Sequence, residues 1–213
     1  MLSASIEDYA KAVYALETRH GVASTTGLAE RLEVSPPAVS AMVKKLAALG
    51  YVRHVRYRGV RLTAEGRRVA LEVLRHHRLL ETYLVEELGI PWDRVHAEAE
   101  VLEHVLSDGL EERIAAKLGE PTHDPHGDPI PALDGTVAER PTVALASLAP
   151  GARGRFVRIS DSDPLLLREL SERQIEPGDT VEVVAADPPL VRVRGRRHRL
   201  SSDLALAMRI ESE

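Results

Sequence analysis

The spacing of apolar residues changes character along this chain, and that change limits the fold more than any single motif. Up to about Leu118, apolar side chains recur three and four residues apart, the period of amphipathic helices. One alternating stretch interrupts them, YVRHVRYRGVRLT, which turns at Gly59 and reads as a short hairpin. From Gly151 onward the runs GRFVRI, TVEVVAA, LVRVRG, HRLS and ALAMRIE are short, β-rich and separated by tight turns, as in a small β-barrel of about 60 residues. Gly119 to Pro150 is rich in Pro, Gly, Asp and His and reads as loop and linker. The expected fold is therefore mainly α, with a small C-terminal β-barrel.

The first helices have an informative order. Residues 5 to 19 carry Ile6, Tyr9, Ala10, Val13, Tyr14 and Leu16 at helical spacing. Ser24 or Thr25 can cap a second helix that buries Leu28 and Leu32. Ser35 and two prolines then start a third helix at Pro37, where missing N–H groups cost least. It turns Val39, Met42, Val43 and Leu46 inward and stops at Gly50. Helix, short turn, helix and basic hairpin make a winged helix-turn-helix. Small residues at the start of the second helix of that motif, Ser35, Pro37, Ala38, Ser40 and Ala41, let its N-terminus approach base edges and DNA shape. Lys44, Lys45, Arg56 and Arg58 are placed for phosphates. Thr63 caps a long helix that breaks at Gly89-Ile90-Pro91, and a further helix spans about Asp93 to Leu118.

Charge supports a polyanion partner. Ser35 to Arg78 holds ten basic residues against Glu65 and Glu72, whereas Leu79 to Asp128 holds thirteen acids against Arg94, Arg113 and Lys117. One surface suits a polyanion and another suits cations.

The acidic half contains a stripe of possible metal ligands. In HAEAEVLEH, His96, Glu100, Glu103 and His104 would share one face of a helix. His77 and Glu81 stand four apart on the preceding helix. Two helices presenting His and Glu inward can form a carboxylate-bridged pair of metal sites. His20, His54, His76, His123, His126 and His198 have no such companions and are expected on the surface or in loops.

Several classes are excluded. With 0 cysteines there is no disulfide framework, thiolate zinc site, iron–sulfur cluster or cysteine nucleophile. No apolar run approaches the roughly 20 residues that span a bilayer, and the N-terminus does not read as a signal peptide, so a cytoplasmic protein without a membrane partner is expected. Aromatic residues at 3% argue against a stacking platform for single strands. A two-metal hydrolase is the competing class. It needs a substrate cleft and a positioned base, and it leaves the reading helix without a purpose. Neither HExxH, G-x-S-x-G nor a phosphate loop is present, and no enzyme or small organic substrate is expected.

The segments IEDYAKAVY, LAERLEVSPPAVSAMVKKLAALGYV, RGVRLTAEGRRVA, RHHRLLETYL, VHAEAEVLEHVLSD and DPHGDPIP, in that order, resemble the diphtheria-toxin-repressor family of metal-dependent transcriptional repressors. The likeness is greatest to the manganese-responsive branch with a C-terminal SH3-like domain, covers residues 5 to 213 and is weakest after Pro141. It implies a winged helix-turn-helix domain over residues 1–72, a helical dimerisation and metal-binding domain over 73–138, a linker over 139–150 and an SH3-like domain over 151–213. A homodimer would bind a palindromic operator in double-stranded DNA. The resemblance also implies a regulatory site from Asp8, Glu100, Glu103 and His104. A second site would use His77, Glu81 and His96 with a β-domain ligand, Asp163, or alternatively Asp161. Leu166 stands nearest to where the iron-responsive branch offers a glutamine.

That branch has methionine and cysteine where this chain has Asp8 and Glu100. Carboxylates and imidazoles without soft ligands suit Mn(II), with Fe(II) or zinc as the alternative effector. Single-domain manganese regulators have an acid where this chain has Lys11, so their closely bridged second site does not transfer. A purely structural metal would instead leave operator binding metal-independent.

Overall fold

The protein was described from a computed structural model covering residues 2–138, 140–161 and 163–212. The chain divides into two compact units. The first runs to His77 and adds Glu103–Leu106 and Pro131–Thr136; the second holds Arg78–Leu102, Ser107–Ile130 and the chain from Val137 onward.

In the first unit, α1 (Ala4–His20), α2 (Thr25–Arg31) and α3 (Pro36–Ala48) precede the hairpin β1 (Val52–Val55) and β2 (Gly59–Leu62), and α4 (Ala64–Leu88) begins there. Local chemistry sets the boundaries. The Ser24 hydroxyl accepts from Gly27 N at 3.0 Å and that of Ser35 from Ala38 N at 3.4 Å, so each N-cap occupies a donor the helix leaves over. The third helix starts at Pro36, one residue before the expected position. Thr63 Oγ1 accepts from Gly66 N at 3.1 Å and caps α4. Val13, Leu28, Val39 and Leu46 have no solvent exposure and centre the core, to which Val52, Val60 and Leu62 bring one face of the hairpin. Burying each such side chain stabilises the unit by about 1.5–3 kcal/mol.

The hairpin is joined to the segment before α2. Ala23 N donates to Val60 O at 3.0 Å, and Val60 N donates to Ala23 O at 2.9 Å. Gly59 makes this approach possible: its φ is +127°, and a Cβ there would lie 2.0 Å from the Ala23 carbonyl oxygen.

In the second unit, the helix expected over Asp93 to Leu118 is two helices, α5 (Val95–Leu102) and α6 (Asp108–Lys117). Ser107 has the extended φ/ψ of an N-cap, −88° and 150°, and restarts the helix. Glu103 and His104 consequently lie in the intervening turn rather than on a helical stripe.

The C-terminal part carries β3 (Val143–Ala144), β4 (Arg153–Arg158), α7 (Pro164–Arg173), β5 (Thr180–Ala185), β6 (Leu190–Val193), β7 (Arg196–Arg199), α8 (Ser202–Ala207) and β8 (Arg209–Ser212). The strands form one antiparallel sheet ordered β3-β8-β4-β5-β6-β7. Register shifts near Phe156–Arg158 and Val183–Ala185 are the irregularities that help a small sheet curl. Pairing of β3 with β8 and burial of Leu145 start this layer inside the segment expected as linker. The helix α7 was not evident from β-like alternation; Leu167 and Leu170, three apart, face the core with Phe156, Ile175 and Met208. Among the described residues no helix is long and apolar enough to cross a membrane.

Gly59→Ala should lower stability by on the order of 2–3 kcal/mol, because the new Cβ must push Ala23 away from the hairpin. Urea denaturation followed by circular dichroism measures it. An unchanged midpoint would mean the hairpin can move off Ala23 without cost.

Candidate metal centres and nucleic-acid interface

Within the first unit, α1 and the turn after α5 bring Asp8, Glu103 and His104 together, with potential ligand atoms all within 4.8 Å of one another. Glu103 has no side-chain exposure; Lys11 Nζ donates to its Oε1 at 2.6 Å and His77 Nδ1 lies 2.5 Å from its Oε2. His104 has a carboxylate at each ring nitrogen: Nδ1 lies 2.6 Å from Glu7 Oε2 and Nε2 lies 2.9 Å from Asp8 Oδ1. A Glu7 carboxylate can only accept, so Nδ1 carries a hydrogen. Nε2 is then the nitrogen facing Asp8 and Glu103, where either a second proton or a cation satisfies the surrounding charge. The oxygen and imidazole donors here fit a hard divalent ion.

Glu7 was absent from the sequence-based ligand set. It immediately precedes Asp8, and nothing in the sequence distinguishes it from a solvated acid. His76 was expected at the surface, but it is buried, with Nδ1 3.2 Å from the Glu103 carbonyl oxygen.

The second unit assembles Glu81, His96 and Asp161. His96 Nδ1 lies 3.0 Å from Asp161 Oδ2 and 3.5 Å from Glu81 Oε1. The β-domain acid at this position is Asp161, the alternate, and not Asp163. Asp163 lies at the N-terminus of α7, where its Oδ1 accepts from Leu165 N at 3.0 Å. A helix start at Pro164 requires an acceptor there, and Asp163 meets that need. Leu166 packs beside the β-domain core. Glu100 stands one turn from His96, with 3.7 Å between its Oε1 and His96 Nε2. His77 precedes Glu81 by one turn of α4.

The loop after α6 corrects another expectation. His126 is fully buried, stacked on Trp92 with ring centroids 5.5 Å apart. Burial opposes its charged form, but Glu81 and Asp124 raise its pKa to about 9. Burial, with the charges of Asp128 and Glu81, pushes Asp124 up to about 8.

On the reading face, Ser35, Pro37, Ala38, Ser40, Ala41, Lys44 and Lys45 are exposed along one side of α3 while Val39, Val43 and Leu46 are buried. Arg56 and Arg58 are exposed at the hairpin tip, on either side of Tyr57, which is 90% exposed and hydrogen-bonded to Arg56 at 2.9 Å. Tyr57 was not singled out from sequence. Other cations of the basic stretch hold the fold: Arg61 bonds the Gly21 carbonyl, Arg67 pairs with Glu17, and Arg75 bonds the Pro131 carbonyl.

A winged reading helix in one unit with clustered carboxylate and imidazole donors defines a metal-dependent DNA-binding regulator. The N-terminal DNA-binding domain of iron dependent repressors matches residues 1–60, their metal binding and dimerisation domain matches residues 63–132, and the FeoA domain matches residues 143–212. The iron-dependent repressor IdeR of Mycobacterium leprae is 34% identical over 221 residues, covering 96% of each chain. Among solved structures, a manganese-dependent transcriptional repressor in complex with manganese is 42% identical, with a TM-score of 0.89 over 98% of this chain and 100% of that one. The manganese regulator SloR is 32% identical, with a TM-score of 0.78 over 98% of each chain. The chain belongs to the iron-dependent repressor family, which includes the diphtheria toxin repressor. It is a metal-dependent transcriptional repressor of a family that binds DNA operators and dimerises, not an enzyme. Its C-terminal domain is the SH3-like FeoA type.

Lys11→Met removes a cation from a carboxylate that has no access to water. In EDTA the variant should lose on the order of 3 kcal/mol of stability by urea denaturation. An unchanged midpoint would assign the whole compensation of Glu103 to His77.

Proposed function

We propose that the chain is a cytoplasmic, manganese-responsive repressor that acts as a homodimer on palindromic double-stranded DNA. The observation that carries this reading is the convergence of Asp8, Glu103 and His104 within the unit that contains α3 and the hairpin. Glu100 completes this regulatory set, and His77, Glu81, His96 and Asp161 form the second. Glu7 is a positioning residue, accepting from His104 Nδ1 and turning Nε2 toward Asp8. When bound, a divalent cation supplies the positive centre that these acids and imidazoles share. The residues themselves fix α1 to the turn after α5 through Asp8 on one side and Glu103 and His104 on the other.

Leu88, Val101 and Leu110 are exposed on α4, α5 and α6 and supply apolar surface for a second copy of the chain. In the dimer, Ser35, Pro37, Ala38, Ser40 and Ala41 would face base edges, while Lys44, Lys45, Arg56 and Arg58 meet phosphates. Selecting an arrangement in which two reading helices lie one turn, about 34 Å, apart converts metal occupancy into operator affinity. Moving such an equilibrium from 1:99 to 99:1 needs about 5.5 kcal/mol of differential binding.

Manganese is favoured because the clustered donors include no sulfur. The second reading is an iron- or zinc-responsive repressor, supported by the identity to IdeR. Fluorescence anisotropy on a palindromic promoter fragment, metal-free and then with buffered Mn²⁺, anaerobic Fe²⁺ or Zn²⁺, separates them. Activation by Mn²⁺ at concentrations where the others do little supports manganese sensing, and equal activation by Fe²⁺ overturns the selectivity. Tight metal-free binding would make the metal structural.

Glu100→Ala and His104→Ala should each abolish Mn²⁺-dependent operator binding while leaving a folded dimer. Retained Mn²⁺-dependent binding in either variant would sink the regulatory assignment.

Asp161→Ala should weaken Mn²⁺ binding at the second site by on the order of ten-fold or more. Asp163→Ala should leave Mn²⁺ affinity unchanged and cost about 1 kcal/mol of stability through the lost cap. Calorimetric titration and thermal melts read both, and the reverse pattern would restore Asp163 as the ligand.

A further inference from the structure

The loop after α6 holds a polar pocket that the two proposed sites do not use. Asp124 and His126 lie in it, and Glu81 of α4 reaches it; all three residues are buried, with candidate ligand atoms within 4.8 Å of one another. The loop's own bonds fix their directions. Asp124 Oδ1 accepts from His126 N and Asp128 N, each at 2.9 Å, and Asp124 N donates to Asp128 O at 3.0 Å. Gly127 permits the turn: its φ is +85°, and a Cβ there would lie 1.8 Å from the Val157 carbonyl oxygen.

His126 Nε2 lies 2.9 Å from the Trp92 carbonyl oxygen. A carbonyl only accepts, so Nε2 carries the hydrogen and, in the neutral ring, Nδ1 carries the lone pair. That Nδ1 is buried without a hydrogen-bond partner among the described residues; Glu81 Oε2 lies 3.6 Å away. An imidazole lone pair thus faces two carboxylates in a space without water contact. Arg78 reaches the outer side of Asp124, with Nε 3.5 Å from Oδ2. Glu81 has an imidazole beyond each oxygen: His96 Nδ1 is 3.5 Å from Oε1, and His126 Nδ1 is 3.6 Å from Oε2.

We infer that Glu81 bridges two divalent cations, and that Asp124 and His126 hold one of them at a site additional to those proposed above. The donor set is two carboxylates and one imidazole, suited to Mn²⁺ or a similar hard ion. A carboxylate shared by two cations lets neighbouring occupancies support one another, since each neutralises charge the other would otherwise face. The inference rests on the second proposed site for Glu81 alone.

The test uses the full-length protein. Mn²⁺ per chain is measured by equilibrium dialysis and elemental analysis for wild type, His126→Phe, Asp124→Asn and His96→Ala, with thermal melts to verify folding. Asp124→Asn retains an oxygen for the loop's two N–H donors, so it remains informative if His126→Phe fails to fold. The expected result is one Mn²⁺ fewer per chain in His126→Phe and in Asp124→Asn than in wild type. The sole tryptophan, Trp92, provides an independent readout through its stack on His126. Paramagnetic Mn²⁺ should quench its fluorescence in wild type in a saturable step that Asp124→Asn lacks. Wild-type stoichiometry in folded Asp124→Asn, together with the same quenching step, would overturn the inference and leave a protonated His126 balancing Glu81 and Asp124. Loss of Mn²⁺ in His126→Phe and Asp124→Asn but none in His96→Ala would uphold this site and count against the second proposed site instead.

Discussion

A carboxylate with no contact with water, that of Glu103, joins three parts of the first unit. Lys11 of α1 and His77 of α4 each place a nitrogen on one of its oxygens, and the His76 ring approaches its backbone carbonyl. An isolated charge buried in this way would be strongly unfavourable, so these partners are a condition of the fold. The turn after α5 can join the reading unit because its acid meets cations already waiting on two helices. His104, the next residue, adds Glu7 and Asp8 to the same network. The helix break that places both residues in this turn is therefore part of the site.

The same dependence shapes the surface that meets DNA. Of the basic residues between Ser35 and Arg78, Arg61, Arg67 and Arg75 are engaged with Gly21, Glu17 and Pro131, and Arg78 turns to Asp124. Lys44 and Lys45 on α3 and Arg56 and Arg58 at the hairpin tip remain exposed. Net charge alone therefore overstates the number of phosphate contacts, since a guanidinium anchoring a carbonyl or a carboxylate is not available to a phosphate. The small exposed residues at the start of α3 have the complementary property: they bring backbone, rather than long side chains, close to the groove.

The reading helix and the sheet domain were legible because their periodicities differ and because caps such as Ser35 mark boundaries locally. The donors His77, Glu81 and His96 were legible through helical spacing and family resemblance. What escaped was set by contacts distant in sequence. Glu7 becomes distinct from Asp8 only when His104 presents a ring nitrogen to each. Asp161 and Asp163 differ by two positions, and the choice turns on which one α7 takes as its N-cap. The helix break at Glu103 follows from the burial of that acid against α1 and α4, which no local propensity encodes. His76 and His126 lack His or Glu companions at helical spacing, so the pattern assigned them to the surface, whereas backbone carbonyls at Glu103 and Trp92 receive them in the interior.

In the proposed regulatory site, a cation bound through Glu103 Oε1 must take the place of the Lys11 ammonium, which lies 2.6 Å from that oxygen. The exchange substitutes one positive group for another, so the buried acid is compensated before and after. It also means that part of the intrinsic metal affinity goes to displacing Lys11, as with any ligand that competes with an internal ion pair. Such competition lowers the apparent affinity without altering the donor set, placing half-occupancy at a higher metal concentration. Soft-metal preference is limited by the donors, since no thiolate or thioether is among the assembled groups, while the ranking among hard and borderline ions falls to geometry. Glu7 contributes to that geometry by fixing the face that His104 presents. Threshold and selectivity in this centre thus rest on different residues: Lys11 acts on the first through charge, and Glu7, Asp8 and His104 act on the second through direction.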